Sequence, residues 1–100
     1  MTYLISYDIM ADKLRTNIAK VLKRNGCQRL QKSVFIAPNY DSKKLSKTKQ
    51  QLEKLLIEPL TGDESIIFVP IEADNIHQIV WAGNGEALKK IVEVKLFRLI

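Results

Sequence analysis

Residues 3–22 read YLISYDIMADKLRTNIAKVL, and this stretch decides the fold because its hydrophobic period changes part-way along. Tyr3 to Asp8 is a short aromatic and aliphatic run typical of a buried strand. From Ala11 the apolar residues recur at helical spacing. They share one helix face: Ala11, Leu14, Ile18, Val21 and Leu22. Gly26 stands where a C-terminal capping glycine is expected, so the stretch predicts a strand followed by a helix.

The next part of the chain predicts another strand–helix pair and a third strand. Arg29 to Ala37 is interpreted as one strand, densest at residues 34–36. Asp41 is a suitable N-cap for a second helix of about four turns. Ser65 to Ile71 contains the continuous apolar run IIFV and is predicted as a strand.

The last quarter of the chain is less regular. His77 to Ala82 is predicted as a further strand, followed by a turn at Gly83-Asn84-Gly85. Beyond it, Ala87 to Val92 suits a short helix and Val94 to Leu99 suits a strand. Residues 84–100 are therefore interpreted as a C-terminal tail that ends in an extra edge strand.

The fold class predicted from this order is α+β, a single ferredoxin-like β-α-β-β-α-β domain over residues 1–100. Right-handed crossovers would place both helices on one face of an antiparallel sheet. Strands that are apolar on both sides imply that the other face is covered as well. We expect a second copy of the chain there, packed sheet to sheet as a homodimer. Dimer exchange or partner docking is assigned to the tail through Val94, Leu96 and Phe97.

Composition excludes several classes of protein. The chain has 100 residues, 46% hydrophobic and 27% charged, which suits one globular domain and excludes intrinsic disorder. Cys27 is the only cysteine, so no disulfide can form within the chain. No stretch is apolar enough to predict a membrane span. The start of the sequence lacks a basic region and reaches Asp8 almost at once, which does not suit a signal peptide, so the expected compartment is the reducing cytoplasm.

The positive charge is concentrated in one part of the chain. The net charge is +5, but residues 1–54 carry twelve basic and four acidic residues, a net +8. The remainder carries a net −3. This asymmetry indicates a polyanionic partner such as nucleic acid, although lysine-rich helices also occur simply as solvated faces.

Asp8 is the residue that does not fit a buried strand. An aspartate at a strand end is often a turn former or a cap for the following helix. The alternative is a metal ligand, since Mg²⁺ binds one or two carboxylates together with substrate phosphates. A two-fold dimer could bring both copies of Asp8 to one cleft, where metal-bound water could attack a phosphodiester.

Three motifs, in order, resemble the small CRISPR-associated adaptation proteins, the Cas-two family. They are YLISYDI at residues 3–9, the DKLR and IAKVL segments of the first helix, and RLQKSVF at residues 29–35. The resemblance implies a homodimer with the two Asp8 side chains facing each other over a Mg²⁺-dependent nuclease site for RNA or duplex DNA. It also implies a bridging role between dimers of the larger adaptation integrase. Many members have an acidic residue where this chain has Ile36, which weakens the nuclease interpretation.

Phosphate-binding candidates lie in the basic part of the chain. Arg15 and Arg29 are favoured because a guanidinium fork matches phosphate oxygens. The other candidates are Lys13 and Lys20 on the first helix and the hydroxyl of Ser33.

Two other functions remain open. One is a stand-alone toxin ribonuclease of the same fold, similar to the virulence-associated D family. The other is a ferredoxin-like binding domain or non-catalytic DNA-binding bridge, although the basic-Gly-aromatic signature of an RNA-recognition motif is absent.

Overall fold

A computed structural model describes residues 1–57 and 62–93. Its elements are β1 Thr2–Asp8, α1 Asp12–Arg24, β2 Gln28–Gln31, β3 Val34–Ala37, α2 Ser42–Leu55, β4 Ser65–Ile71, α3 Ala73–Ile76 and α4 Glu86–Glu93. The four strands form one antiparallel sheet in the order β2-β3-β1-β4. This strand order confirms the predicted α+β, ferredoxin-like class.

The main core lies between one sheet face and helices α1 and α2. Ile5 in β1 is opposite Phe35 in β3 and Phe68 in β4, so these three side chains share a face. Ile18 and Leu22 of α1 and the α2 side chains Leu45 and Leu52 belong to the same apolar cluster. Both long helices therefore cover one face of the sheet, as predicted.

One end of each long helix is stabilised by the residue that the sequence indicated. The Asp41 carboxylate accepts a hydrogen bond from the backbone N–H of Lys44 at 2.7 Å and caps α2. Gly26 follows α1 with φ +84°. Its N–H donates to the Lys23 carbonyl, and the N–H of Cys27 donates to the Leu22 carbonyl. This is a Schellman motif, which satisfies the last carbonyls of the helix.

The opposite sheet face is covered in part by the chain itself. Ile76, Leu88 and Ile91, from α3 and α4, are buried in a second apolar cluster with Leu30 and Ile36. Leu4, Val34 and Ile71 pack against that cluster. On β4, however, Ile67 and Val69 remain 54% and 43% exposed. The open part of this face is therefore its β4 side.

Two predicted strands differ from the structure. Residues 29–37 are a hairpin rather than one strand, with Gln31 opposite Val34 and the turn at Lys32 and Ser33. The strand predicted at His77–Ala82 was wrong, because the chain forms a turn and a loop there. Ile76 and Ile79 are three residues apart, and the N–H of Ile79 bonds the Ile76 carbonyl, so both side chains reach the second cluster from one turn.

The region after Gly85 is a helix as far as the structure describes it. The short helix expected at Ala87–Val92 is present within α4. The strand expected at Val94–Leu99 and the tail residues Val94, Leu96 and Phe97 lie outside the described residues.

Candidate functional site

Asp8 lies at the C-terminal end of β1 and is exposed. Side chains alternate along a strand, so Asp8 lies on the face of Leu4 and Ser6, opposite the helices. It pairs with Ser65 at the start of β4, while Ser6 pairs with Ile67. The carboxylate therefore occupies one end of the same sheet face whose β4 side is open.

Two further carboxylates lie beside Asp8. A shallow depression is lined by Asp8, Met10, Asp63 and Glu64. The Glu64 carboxylate also accepts a hydrogen bond from the N–H of Gly62 at 3.0 Å. Carboxylate oxygens are the donors that Mg²⁺ prefers, so the chemistry of this donor set suits the ion.

The donor set of one protomer is nevertheless small. Across residues 1–57 and 62–93, no group of three or more His, Cys, Asp or Glu side chains is arranged to hold a metal ion. Asp63 and Glu64 were not among the predicted site residues. They lie near Asp8 because β1 pairs antiparallel with β4, with Asp8 opposite Ser65. A prediction of this strand pairing would have identified both residues as site candidates.

A basic depression lies between α1 and the β2–β3 hairpin. Arg15, Arg29 and Lys32 line it together with Asp12 and Thr16. The Arg15 guanidinium forms an ion pair with the Asp12 carboxylate one helical turn earlier. The structure thus brings together the two predicted arginines and adds Lys32, which the sequence interpretation counted only as part of the charge.

The Arg29 guanidinium has a second contact that orients it. Its central carbon lies 5.1 Å from the centre of the Phe35 ring, the residue opposite it in the hairpin. A guanidinium over an aromatic face is held by cation–π attraction while its N–H groups stay available at the ring edge. Arg29 is therefore a positioned donor rather than a freely rotating surface charge.

Tyr7 connects the basic depression to the end of β1. Its hydroxyl donates to the Lys32 carbonyl at 3.2 Å, and its backbone N–H donates to the Ser33 carbonyl at 3.1 Å. The hairpin turn is thus held beside the residue that precedes Asp8. Ser33 is half-buried in that turn. The acidic and basic depressions consequently lie at the same end of the sheet.

Lys13 and Lys20 lie elsewhere on α1. They are seven residues apart and exposed, on the side of the helix away from buried Ile18 and Leu22. Arg15 is on a different side, facing β2. The predicted phosphate contacts therefore divide into two groups, one between α1 and the hairpin at the end of the sheet where β1 finishes, and one on the outer surface of the helix layer.

The family model of the CRISPR associated protein Cas2 matches residues 1–79. The chain belongs to the Cas2 family. This membership supports a CRISPR-associated role, and the matched region contains Asp8 and both depressions. No curated protein matches the chain.

Solved structures share the fold of this chain. The crystal structure of Streptococcus pyogenes Cas2 at pH 6.5 superposes with a TM-score of 0.70 at 24% identity, covering 83% of this chain and 100% of that one. A hypothetical protein, TT1823 from Thermus thermophilus, superposes with a TM-score of 0.67 at 28% identity, covering 84% of this chain and 92% of the other.

Membrane-spanning helices are not found in the part of the chain that the structure describes. None of the helices within residues 1–57 and 62–93 is both long and apolar enough to cross a bilayer.

Proposed function

We propose that this Cas2 family member is a CRISPR adaptation protein that cleaves phosphodiester bonds in RNA or duplex DNA with Mg²⁺ at Asp8. The observation that carries the proposal is the position of Asp8, an exposed carboxylate at the end of β1, at the same sheet end as Arg15, Arg29 and Lys32. A carboxylate at the same end of the sheet as three cations suits a polyanion whose scissile phosphate meets a metal ion.

Each group has a distinct task in this proposal. Asp8 from each protomer of a homodimer would hold Mg²⁺, which when bound lowers the pKa of a water molecule and neutralises charge on the phosphate. Arg15 and Arg29 would hold a neighbouring phosphate through paired N–H donors. Lys32 adds a point charge there, and the Ser33 hydroxyl is a further candidate donor.

The open sheet face supports the homodimer. Ile67 and Val69 are exposed on the face that carries Asp8. A two-fold contact centred on β1 and β4 would bury them and bring the two Asp8 side chains towards each other. The covering of the β2 and β3 side by α3 and α4 limits the contact to that half of the sheet.

The test is a cleavage assay in which Asp8→Asn is compared with wild type. Single-stranded RNA and duplex DNA are incubated with Mg²⁺ or EDTA, and the products are resolved on a gel. Asp74→Asn, an exposed aspartate on α3, is the matched control. We expect Mg²⁺-dependent cleavage by wild type and Asp74→Asn, and a loss of at least about 100-fold in Asp8→Asn, because a metal ligand is removed. Cleavage that survives Asp8→Asn would reject the catalytic role.

A non-catalytic bridge is the second candidate, and Ile36 favours it. The family resemblance implies an acidic residue at this position in many relatives, whereas Ile36 of this chain is fully buried in the second apolar cluster. As a bridge, the dimer would bind duplex DNA and join dimers of the larger adaptation integrase. Duplex binding and integrase association that are unchanged in Asp8→Asn, without cleavage by wild type, would select this function.

A further inference from the structure

The segment that follows β4 lies over the sheet face that carries Asp8. Residues 72–93, which we call the cover, contain α3, α4 and the loop between them. Their buried side chains Ile76, Leu88 and Ile91 pack on the β2 and β3 side of the face. The matched family region ends at residue 79, so α4 is an addition to the part of the chain that the family model describes.

The cover is attached to the sheet through apolar side chains. The hydrogen bonds described for residues 72–93 are internal to the cover. The Nδ1–H of His77 donates to the Val92 carbonyl at 2.8 Å, and the N–H of Lys89 donates to the Gly85 carbonyl at 2.7 Å. Displacing the cover would therefore keep these bonds, and its cost would be the exposure of apolar surface.

The helices of the cover are too short to be stable without the sheet. α3 has four residues and α4 has eight. Isolated helices shorter than about 12–15 residues are marginal in water. The position of α4 consequently depends on its two buried side chains, Leu88 and Ile91.

The contact between the cover and the sheet is incompletely packed. A gap of about 260 Å³, lined mostly by apolar side chains, separates the loop of the cover from the sheet. It lies between Leu4, Leu30 and Val34 of the sheet and Ile79, Trp81 and Leu88 of the cover. Protein interiors contain few voids larger than a water molecule. The gap weakens the attachment, because atoms that line it lack packing partners on one side.

The sheet face beneath the cover continues the exposed part of β4. Leu4 of β1 lies between Val69 of β4 and Ile36 of β3. The next row across the same face consists of Ile67, Ser6 and Val34. Both rows pass from the open part of the face to the covered part, so displacement of the cover would extend one largely apolar surface.

The open part alone is small for a contact between two copies of the chain. β4 has seven residues, so a strip over β4 and β1 is about 23 Å long and about 10 Å wide. That strip of about 230 Å² compares with about 800 Å² that each partner buries in a standard interface. A stable dimer on this face therefore requires the covered part as well.

We propose that the cover is displaceable and competes with a second copy of the chain for this sheet face. In the closed protomer, the cover occupies the β2 and β3 side. In the dimer, the cover is displaced and the second copy contacts Leu4, Val34 and Ile36. The proposal rests on the homodimer of the proposed function, whose Asp8 site is incomplete in one protomer. The cover thereby regulates the assembly of that site.

Competition of this kind has a quantitative consequence. The apparent affinity for a partner falls by the fraction of the protein that is in the binding-competent form. Because both protomers must open, the dissociation constant of the dimer varies with the inverse square of the open fraction. A tenfold larger open fraction would lower it about 100-fold.

The first experiment removes the two side chains that hold α4. Leu88→Ser and Ile91→Ser are combined in one variant. The control combines Asn75→Ser and Gln78→Ser, two exposed and uncharged residues of the cover. Sedimentation equilibrium in EDTA, without nucleic acid, measures the dissociation constant of the dimer, and circular dichroism checks both folds. We expect the Leu88→Ser/Ile91→Ser dimer to be at least about tenfold tighter than wild type and the control to be unchanged.

A second variant shifts the equilibrium in the opposite direction. Ala82 lines the gap from the cover, so Ala82→Leu fills part of the gap and leaves the sheet unaltered. The added apolar contact should hold the cover more firmly and raise the dissociation constant of the dimer by at least about threefold. An equal or tighter dimer in Ala82→Leu would contradict the proposal.

Hydrogen–deuterium exchange of the wild type separates displacement of the cover from a dimer that keeps the cover in place. At protein concentrations where the dimer predominates, the amides of α4 should exchange faster than in the dilute monomer, while those of β4 should exchange more slowly. Slower exchange in α4 on dimerisation would show that the cover belongs to the contact, and would overturn the proposal.

The remaining outcomes are equally decisive. A Leu88→Ser/Ile91→Ser dimer that is no tighter than the control dimer would exclude competition. A monomeric variant that binds the apolar dye ANS would assign the uncovered face to another occupant. These measurements involve no cleavage, so a wild type without nuclease activity would reject the proposed catalysis and leave this test interpretable. Where wild type does cleave, Leu88→Ser/Ile91→Ser should be more active than wild type at low protein concentration.

Discussion

At the scale of single residues, Tyr40 combines a buried ring with a hydroxyl that has two hydrogen-bond partners. Its ring is buried, its hydroxyl donates to the Asn25 carbonyl at 2.6 Å, and the Cys27 sulfur lies 3.1 Å from the same oxygen. Burial, followed by the hydrogen bond with Cys27, raises the pKa of Tyr40 above its usual value of 10.0. Burial also raises the pKa of the Cys27 thiol above 9.0. The pair links the end of α1 to the segment before α2.

These raised pKa values predict a loss of stability at alkaline pH. A group with a raised folded-state pKa contributes its full stability below its unfolded pKa, and this contribution is lost as the pH rises. We therefore expect the free energy of unfolding to fall from about pH 9 for Cys27 and from about pH 10 for Tyr40. Each group contributes up to about 1.4 kcal/mol per pH unit.

Tyr40→Phe tests the contribution of this hydroxyl. It removes the bond to Asn25 and should lower the free energy of unfolding by about 1–2 kcal/mol at pH 7. Above pH 10 its stability should fall less steeply with pH than that of wild type, because one titrating group is gone. Urea unfolding at pH 7, 9, 10 and 11 measures both effects, with Tyr3→Phe in β1 as the control. Parallel pH dependences for wild type and Tyr40→Phe would contradict the assignment.

At the scale of elements, the end of α1 depends on the backbone of Gly26. Its φ of +84° is strained for a residue with a Cβ. An added Cβ would lie 3.4 Å from the Lys44 ammonium, which is the end of a flexible side chain and can move away. The cost of a substitution at Gly26 therefore comes mainly from the backbone conformation. Gly26→Ala should cost about 1–2 kcal/mol in unfolding free energy. Gly26→Asn should cost less, since Asn tolerates this region. Equal losses in urea unfolding would argue against the backbone origin.

The start of α4 depends on a glycine for a different reason. A Cβ on Gly85 would overlap the indole of Trp81, which lies directly against it. Gly85→Ala should displace the indole into water and shift its fluorescence to longer wavelength. Gly83→Ala is the control, because a Cβ there meets nothing within 4 Å, although its φ of +84° makes it strained. An unchanged emission maximum in Gly85→Ala would show that the indole does not depend on this contact.

The elements also show which features the sequence could predict. Strand β1, helix α1 and the caps at Gly26 and Asp41 follow from local spacing and local hydrogen bonds. The hairpin at Lys32 and Ser33 was missed because its turn has no glycine or asparagine, the usual signal for a two-residue turn. In the site, Asp8 was evident as a polar residue ending an apolar strand. Lys32, Asp63 and Glu64 required the strand pairing, which is a long-range property.

At the scale of the whole molecule, the two sheet faces have different properties. The helix-covered side carries the exposed lysines of α1 and α2, while the other carries Asp8 and the exposed part of β4. The proposed dimer contact and the exposed lysines therefore lie on opposite sides of the sheet. The covering by α3 and α4 leaves β4 as the place where a dimer contact would form.

Charging the open part of β4 tests the homodimer directly. Ile67→Lys combined with Val69→Lys places two like charges on each side of a two-fold contact, and burying them unpaired is strongly unfavourable. We expect wild type to sediment as a dimer at micromolar concentration and the double variant as a monomer with an unchanged circular dichroism spectrum, since both positions are exposed. Val80→Lys, at a position 88% exposed outside β4, should remain dimeric. If both Asp8 copies serve one site, cleavage should fall with the dimer population. A wild-type monomer, or a double variant that still dimerises, would exclude this face as the interface.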